Sequence, residues 1–331
     1  MDDPVAPEGR YGVLEEEGIR QFMLETDRLY PPDAVNFSMA EQRGFYDSLC
    51  RHFRKPRPPG IAVEDRHAGG PGGPVPVRIY RPAGGAGRPT MLYLHGGGYV
   101  VGGLDSHDDI CAEIAKGAGI DVVAVDYRLA PEHRFPAAFE DAWAALEALA
   151  RGDLGLNAGR LVVAGDSAGG NLTAGLCLRA RDLGAPVIGG QILIYPGLGG
   201  DRTRGSYVQH ASAPGLTTAD TQYYKTVYIG PPNHPNHASK FAYPLKETAY
   251  AGLPPAFLVA AEWDPLRDDC YDYAARLKAA GVEAEVRHEP LLVHAFLRAR
   301  NMSPAAAASF RAIVAAARSL AHDGRLPPER P

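Results

Sequence analysis

The segment Gly165-Asp166-Ser167-Ala168-Gly169-Gly170 stands between the apolar run Leu161-Val162-Val163-Ala164 and a stretch with Leu172, Leu176 and Leu183 at helical spacing. The run predicts a short buried strand and the stretch predicts a helix over 168–183. A serine on such a strand-to-helix turn, with glycines two before and two after, has the pattern of a nucleophile elbow. The small flanking residues allow a turn sharp enough to expose Oγ, and they aim the Ala168 N–H at the place where an oxyanion would form. Taken alone the pattern is equally that of a tight turn with an N-capping serine.

A second motif narrows the choice. His95-Gly96-Gly97-Gly98 follows the strand-like Met91-Leu92-Tyr93-Leu94 and is itself followed by Gly102. Consecutive glycines cost conformational entropy, and their use is to bring bare backbone N–H groups against a ligand. A flexible linker fits poorly, because the loop is wedged between the strand and Tyr99-Val100-Val101 without serine or charge enrichment.

With these motifs the chain resembles the hormone-sensitive-lipase-like branch of the α/β-hydrolases, the bacterial carboxylesterases. The resemblance also rests on Asp126 through His133, Phe135-Pro136-Ala137-Ala138, Asp264-Pro265-Leu266-Arg267-Asp268, and His294 with Phe296. It runs from about Val75 to the final helix. It implies an α/β-hydrolase fold, a mainly parallel central sheet with helices on both faces and a cap over the active site.

Composition agrees. A chain of 331 residues, 45% of them hydrophobic, can bury a full core. A net charge of -5 argues against a nucleic-acid partner, and no apolar run reaches the length of a membrane span. Arg51-His52-Phe53-Arg54-Lys55, ahead of three prolines, reads as a solvated linker. The acidic start Met1-Asp2-Asp3-Pro4 lacks the apolar segment of a signal peptide. Cys50, Cys111, Cys177 and Cys270 are widely spaced, as expected of free thiols in a reducing compartment, so the cytoplasm is the expected location.

Strand-like runs cover 75–81, 90–94, 120–127, 161–164, 188–195, 256–261 and 282–288. Helical spacing covers 135–150, 168–183, 266–280 and a last helix opening at Ser303-Pro304. Residues 1–52 and 197–250 break the alternation, and the second of these is rich in tyrosine. The resemblance implies that the two segments combine into the cap. The expected division is then 1–52 N-terminal cap segment, 53–196 core, 197–250 cap insertion and 251–331 core.

An α/β-hydrolase orders its triad as Ser, acid, His. The acid should follow a strand, and Asp264 comes at the end of Ala256–Ala261; Glu262, Asp268 and Asp269 are its rivals, the last two expected to serve the next helix. For the base, His294 follows the last strand by a short loop. His52 and His67 read as linker residues, His288 as part of the strand and His95 as a brace for the glycine loop. The resembling family has glycine after this histidine where the chain has Ala295; only a positive φ would exclude alanine there.

The expected chemistry is acyl transfer by Ser167, with His294 as base, Asp264 as its orienting acid, and the N–H groups of Gly97, Gly98 and Ala168 as oxyanion donors. The choice of Gly97 and Gly98 over Gly96 comes from the resemblance. The expected substrate is a small short-chain acyl ester, with no cofactor. His234 and His237, three apart in a proline-broken segment, are not expected to bind a metal. An amidase or carbohydrate deacetylase would use the same triad. Non-catalytic small-molecule receptors on this fold lose a triad member, and all three positions are intact here. A homo-oligomer, such as a dimer, is left open by the sequence.

Overall fold

The computed structural model describes residues 11–85 and 87–328; the acidic start, residues 1–4, lies outside them. In chain order the elements are α1 (Glu17–Leu29), α2 (Met39–Phe53), β1 (Ile61–Gly70), β2 (Gly73–Pro82), β3 (Thr90–Leu94), α3 (Asp108–Ala118) and β4 (Asp121–Val125). Then come α4 (Ala137–Arg151), β5 (Leu161–Asp166), α5 (Ala168–Leu183), β6 (Ile188–Ile194), α6 (Ser206–Gln209) and α7 (Thr218–Ile229). The chain closes with β7 (Ala256–Trp263), α8 (Arg267–Ala279), β8 (Ala284–Val293) and α9 (Pro304–His322).

Among the described residues the strands form one 8-stranded sheet in the order β1-β2-β4-β3-β5-β6-β7-β8. β2 runs antiparallel to both its neighbours, and every pairing from β4 to β8 is parallel. The inner strands are buried on both faces, which is why they read as unbroken apolar runs. In β3, Met91 and Tyr93 pack into the layer that holds α3 and α9, while Leu92 and Leu94 pack into the layer of α4 and α5. A third cluster joins α5 to β7 and α8 through Cys177, Leu178, Leu258 and Tyr273. The last helix starts as expected: Ser303 Oγ accepts the Ala306 N–H at 2.9 Å and Pro304 takes the first position.

Two local expectations change. Arg51, His52 and Phe53 are not linker but the end of α2, and the Lys55 N–H is tied to the Asp109 carboxylate at 3.0 Å. β1, which holds His67, is an edge strand; one side faces solvent, so it tolerates Glu64, Asp65 and Arg66 and shows little hydrophobic alternation. The 197–250 segment separates β6 from β7, as expected, and contains α6, α7 and short 3₁₀ turns.

α1 and α2 come to lie beside α7, although far from it in sequence. The Tyr30 and Tyr224 hydroxyls are 3.2 Å apart, and Gln42 Nε2 donates to the Tyr223 hydroxyl at 2.9 Å. Together these helices wall one side of a cavity above the carboxyl ends of β3, β5 and β6.

Candidate active site

β5 ends at Asp166, and the chain turns at Ser167 into α5. The strain of the turn sits on the serine, at φ 53° and ψ -115°, a region a non-glycine residue occupies only when its surroundings impose it. The Ser167 N–H is held by the Ile194 carbonyl at 2.8 Å. The flanking glycines serve a different purpose from the one the sequence suggested. Neither Gly165 nor Gly169 has a positive φ; a Cβ on Gly169 would lie 1.9 Å from the Leu94 carbonyl oxygen. A missing side chain lets α5 start directly against β3.

His294 follows β8, and its ring lies between the serine and a carboxylate. Nε2 is 2.9 Å from Ser167 Oγ and Nδ1 is 2.6 Å from Asp264 Oδ2. Asp264 stands at the carboxyl end of β7 with 0% of its surface exposed, and its Oδ1 accepts the Leu266 N–H at 2.8 Å. The fixed carboxylate leaves Nδ1 as the protonated ring nitrogen and Nε2 free to accept from the serine. The rivals are engaged elsewhere. Glu262 bonds Arg267 at 2.7 Å. Asp268 accepts the Ser206 N–H at 2.8 Å, and Asp269 accepts the N–H groups of Leu198 at 2.6 Å and Gly199 at 3.0 Å. Asp268 and Asp269 therefore anchor the segment after β6 rather than simply capping α8.

Ala295 sits at φ 61° and ψ 20°. This is the left-handed conformation that glycine adopts without cost, and the chain fills it with alanine.

The glycine loop leads off β3. The Gly96 N–H is occupied by Asp166 Oδ1 at 2.9 Å, which removes it from any ligand. Gly97 and Gly98 both have positive φ, at 134° and 60°, and both line the cavity with Ser167, Ala168 and His294. A Cβ on Gly97 would lie 2.1 Å from the Val101 carbonyl oxygen. His95 braces the loop as expected: its Nδ1–H donates to the Gly96 carbonyl at 2.8 Å and its ring stacks on Tyr127 at 4.2 Å. Burial pushes its imidazole down to about 4, so the brace is neutral.

Behind the loop lies a buried polar cluster that sequence reasoning did not find. Asp166 accepts from the Tyr93 hydroxyl at 2.9 Å and faces His107 Nε2 at 3.2 Å. Arg298 donates to the Ser106 carbonyl at 3.1 Å and to the Tyr46 hydroxyl at 2.7 Å. Burial disfavours charge on Asp166, but the facing His107, the Arg298 guanidinium and the Tyr93 hydroxyl overcome it and hold the carboxyl well below its usual range. Asp166 adjoins the serine and could be suspected on that ground; His107 and Arg298 carry no motif.

His234 and His237 are engaged with the chain itself. His237 Nε2–H donates to the Pro231 carbonyl at 3.0 Å and its Nδ1 accepts from the Tyr243 hydroxyl at 2.6 Å. His234 Nδ1 accepts the Asn236 N–H at 3.3 Å.

A family model described as alpha/beta hydrolase fold matches residues 91–298. The chain is 42% identical over 293 residues to Esterase LipI of Mycobacterium tuberculosis, covering 86% of this chain and 91% of that protein. It is 39% identical over 239 residues to an Ethyl acetate hydrolase of Pseudomonas putida, covering 68% of this chain and 72% of the relative. The solved structure of a hyperthermophilic esterase from the archaeon Pyrobaculum calidifontis superposes with a TM-score of 0.83 at 34% identity, covering 91% of this chain and 97% of that one. The chain thus belongs to the hormone-sensitive-lipase-like family of bacterial carboxylesterases within the α/β-hydrolases, and it is a carboxylic ester hydrolase.

Proposed function

We propose that the protein hydrolyses short-chain acyl esters by a two-step acyl transfer in which Ser167, His294 and Asp264 act as the triad. The observation that carries this reading is the continuous relay from Ser167 Oγ through His294 to Asp264, at 2.9 and 2.6 Å. Ser167 Oγ attacks the ester carbonyl carbon as its proton passes to His294 Nε2, and the buried Asp264 stabilises the imidazolium. The tetrahedral oxyanion is held by the N–H groups of Gly97, Gly98 and Ala168. Collapse breaks the bond to the alcohol oxygen, which leaves with the proton from Nε2. A water then repeats the sequence on the acyl-serine and releases the acid.

The preference for short acyl groups is supported by the size of the cavity, about 170 Å³. That compares with an engineered cavity of roughly 150 Å³ that holds one benzene ring. Its walls include Phe22, Met23, Tyr30 and Tyr224 from the two segments outside the α/β alternation. We assign the expected segments 1–52 and 197–250, of which residues 1–10 lie outside the described residues, to a cap that selects the substrate, over a core of 53–196 and 251–331. Four free thiols, all buried, fit a cytoplasmic setting. Among the described residues no helix is long and apolar enough to cross a membrane.

A fluorophosphonate should label Ser167 and leave Ser167→Ala unlabelled. A series of ethyl esters differing only in acyl length should give a kcat/KM that peaks at about two to six carbons. Failure to label Ser167, or a kcat/KM still rising at long chains, would overturn the respective half of the reading.

A further inference from the structure

Lys225, on α7, lines the same cavity and has no part in the acyl transfer. Its Nζ donates to the Ala242 carbonyl at 3.1 Å and to the Tyr99 hydroxyl at 3.4 Å. It lies over the Tyr243 ring at 4.7 Å and the Tyr99 ring at 5.3 Å from their centroids. No carboxylate reaches it among the described residues. Lys240, by contrast, contacts both Asp182 and Glu247 at 2.7 Å. Asp269 attracts the Lys225 charge from a distance and Arg202 opposes it. A half-buried cation ordinarily has a counter-ion, because desolvating an unpaired charge is costly. This one is held by neutral groups only, beside a space meant for a ligand. An ammonium has three donors, and the protein uses two of them.

The seat is fixed relative to the nucleophile. Ala242 O, which accepts from Lys225, also accepts from Asn171 Nδ2 at 3.1 Å. Asn171 is on α5, and its N–H is bonded to the Ser167 carbonyl at 3.1 Å. Tyr99 belongs to the turn that follows the glycine loop, and its ring is stacked on Tyr228 with centroids 3.7 Å apart. The ammonium is therefore tied through one shared carbonyl to the first turn of the helix that carries the serine.

We propose that Lys225 is a specificity-determining residue that receives a carboxylate borne by the substrate, so that the preferred substrates are short esters carrying a negative charge. This rests on the reading of the cavity as the ester pocket. Burial pushes the ammonium down to about 7, so a carboxylate ligand would hold it charged where the empty site lets it lose its proton.

The test compares charged and neutral esters of matched size. Monoethyl succinate against ethyl butyrate places the charge on the acyl side; acetylglycolate against propyl acetate places it on the alcohol side. In the parent, kcat/KM near pH 6 should favour the charged member of one pair by about tenfold, the effect of one charge-assisted hydrogen bond. That preference should decline toward unity as the pH is raised above about 8, where the free ammonium is titrated. Lys225→Met should abolish it. If both pairs favour the neutral ester in the parent, or if Lys225→Met keeps the preference, the inference is wrong while the esterase reading stands. If neither member of either pair is hydrolysed, the proposed function itself fails and this inference with it. The parent's own ratio and its course with pH decide the matter even if the variant does not fold.

Discussion

Asp264 Oδ2 lies 2.6 Å from His294 Nδ1, and the carboxylate's other oxygen is taken up by the Leu266 N–H at 2.8 Å. An acid held at both oxygens fixes the imidazole's tautomer as well as its place. Asp264→Asn should therefore lower kcat by something like 10⁴ with KM nearly unchanged, because an amide at this position favours the wrong tautomer. Asp268→Asn, whose carboxylate serves the Ser206 N–H, should stay within about tenfold of the parent. Steady-state kinetics on one short ester checks both, and a crippled Asp268→Asn beside an active Asp264→Asn would reverse the assignment.

Gly97 has no room for a side chain, since a Cβ would lie 2.1 Å from the Val101 carbonyl oxygen. Gly97→Ala should push the loop away and misplace its N–H. The expected loss is about 10²–10³ in kcat, the range seen when one oxyanion donor is removed. An unchanged kcat would show that the loop does not hold the oxyanion.

Ala295→Gly should stabilise the protein. The alanine stands at φ 61°, where a left-handed residue other than glycine costs roughly 1–2 kcal/mol. Part of that is offset because glycine frees the unfolded chain by about 0.4–1 kcal/mol. A net gain of roughly 0.5–1 kcal/mol should appear as a Tm higher by about 1 °C in a chain of this length. A lower Tm would mean that the methyl group packs better than its backbone strain suggests.

Lys225 gives stability a definite dependence on pH. Its ordinary value is 10.5 and burial lowers it to about 7 in the folded protein. The unfolded chain thus binds more protons between those values, and stability from this group rises with pH across that window. Below about pH 7 both states carry the charge and the folded state bears the full desolvation cost. Paired melting curves of the parent and Lys225→Met should show the variant's relative advantage shrinking from about pH 7 to pH 10. A gap that stays constant over that range would mean that Lys225 is charged and well solvated in the folded protein.

Much of this architecture could be read from the sequence because the inner strands are buried on both faces. β3 and α5 fall at Thr90–Leu94 and Ala168–Leu183, the spans their residues predict. β1 was not legible: as an edge strand it is held by backbone pairing with β2, which leaves no mark on residue type. The strand-end positions of Ser167, Asp264 and His294 follow from chain order and a strand-by-strand count. The cluster of His107, Asp166 and Arg298 does not, because its members come from three segments distant in sequence that only the fold brings together. Lys225 was hidden for a similar reason. Its surroundings come from Tyr99, Ala242 and Tyr243, and nothing adjacent to it in the chain sets it apart.

Asp166 is bonded to the Gly96 N–H at 2.9 Å and precedes Ser167 in the chain. The end of one strand thus leads into Ser167 and also grips the glycine loop that faces it. The distance between Ser167 and the glycine loop is therefore set by one carboxylate and one peptide bond instead of by the packing of two separate strands.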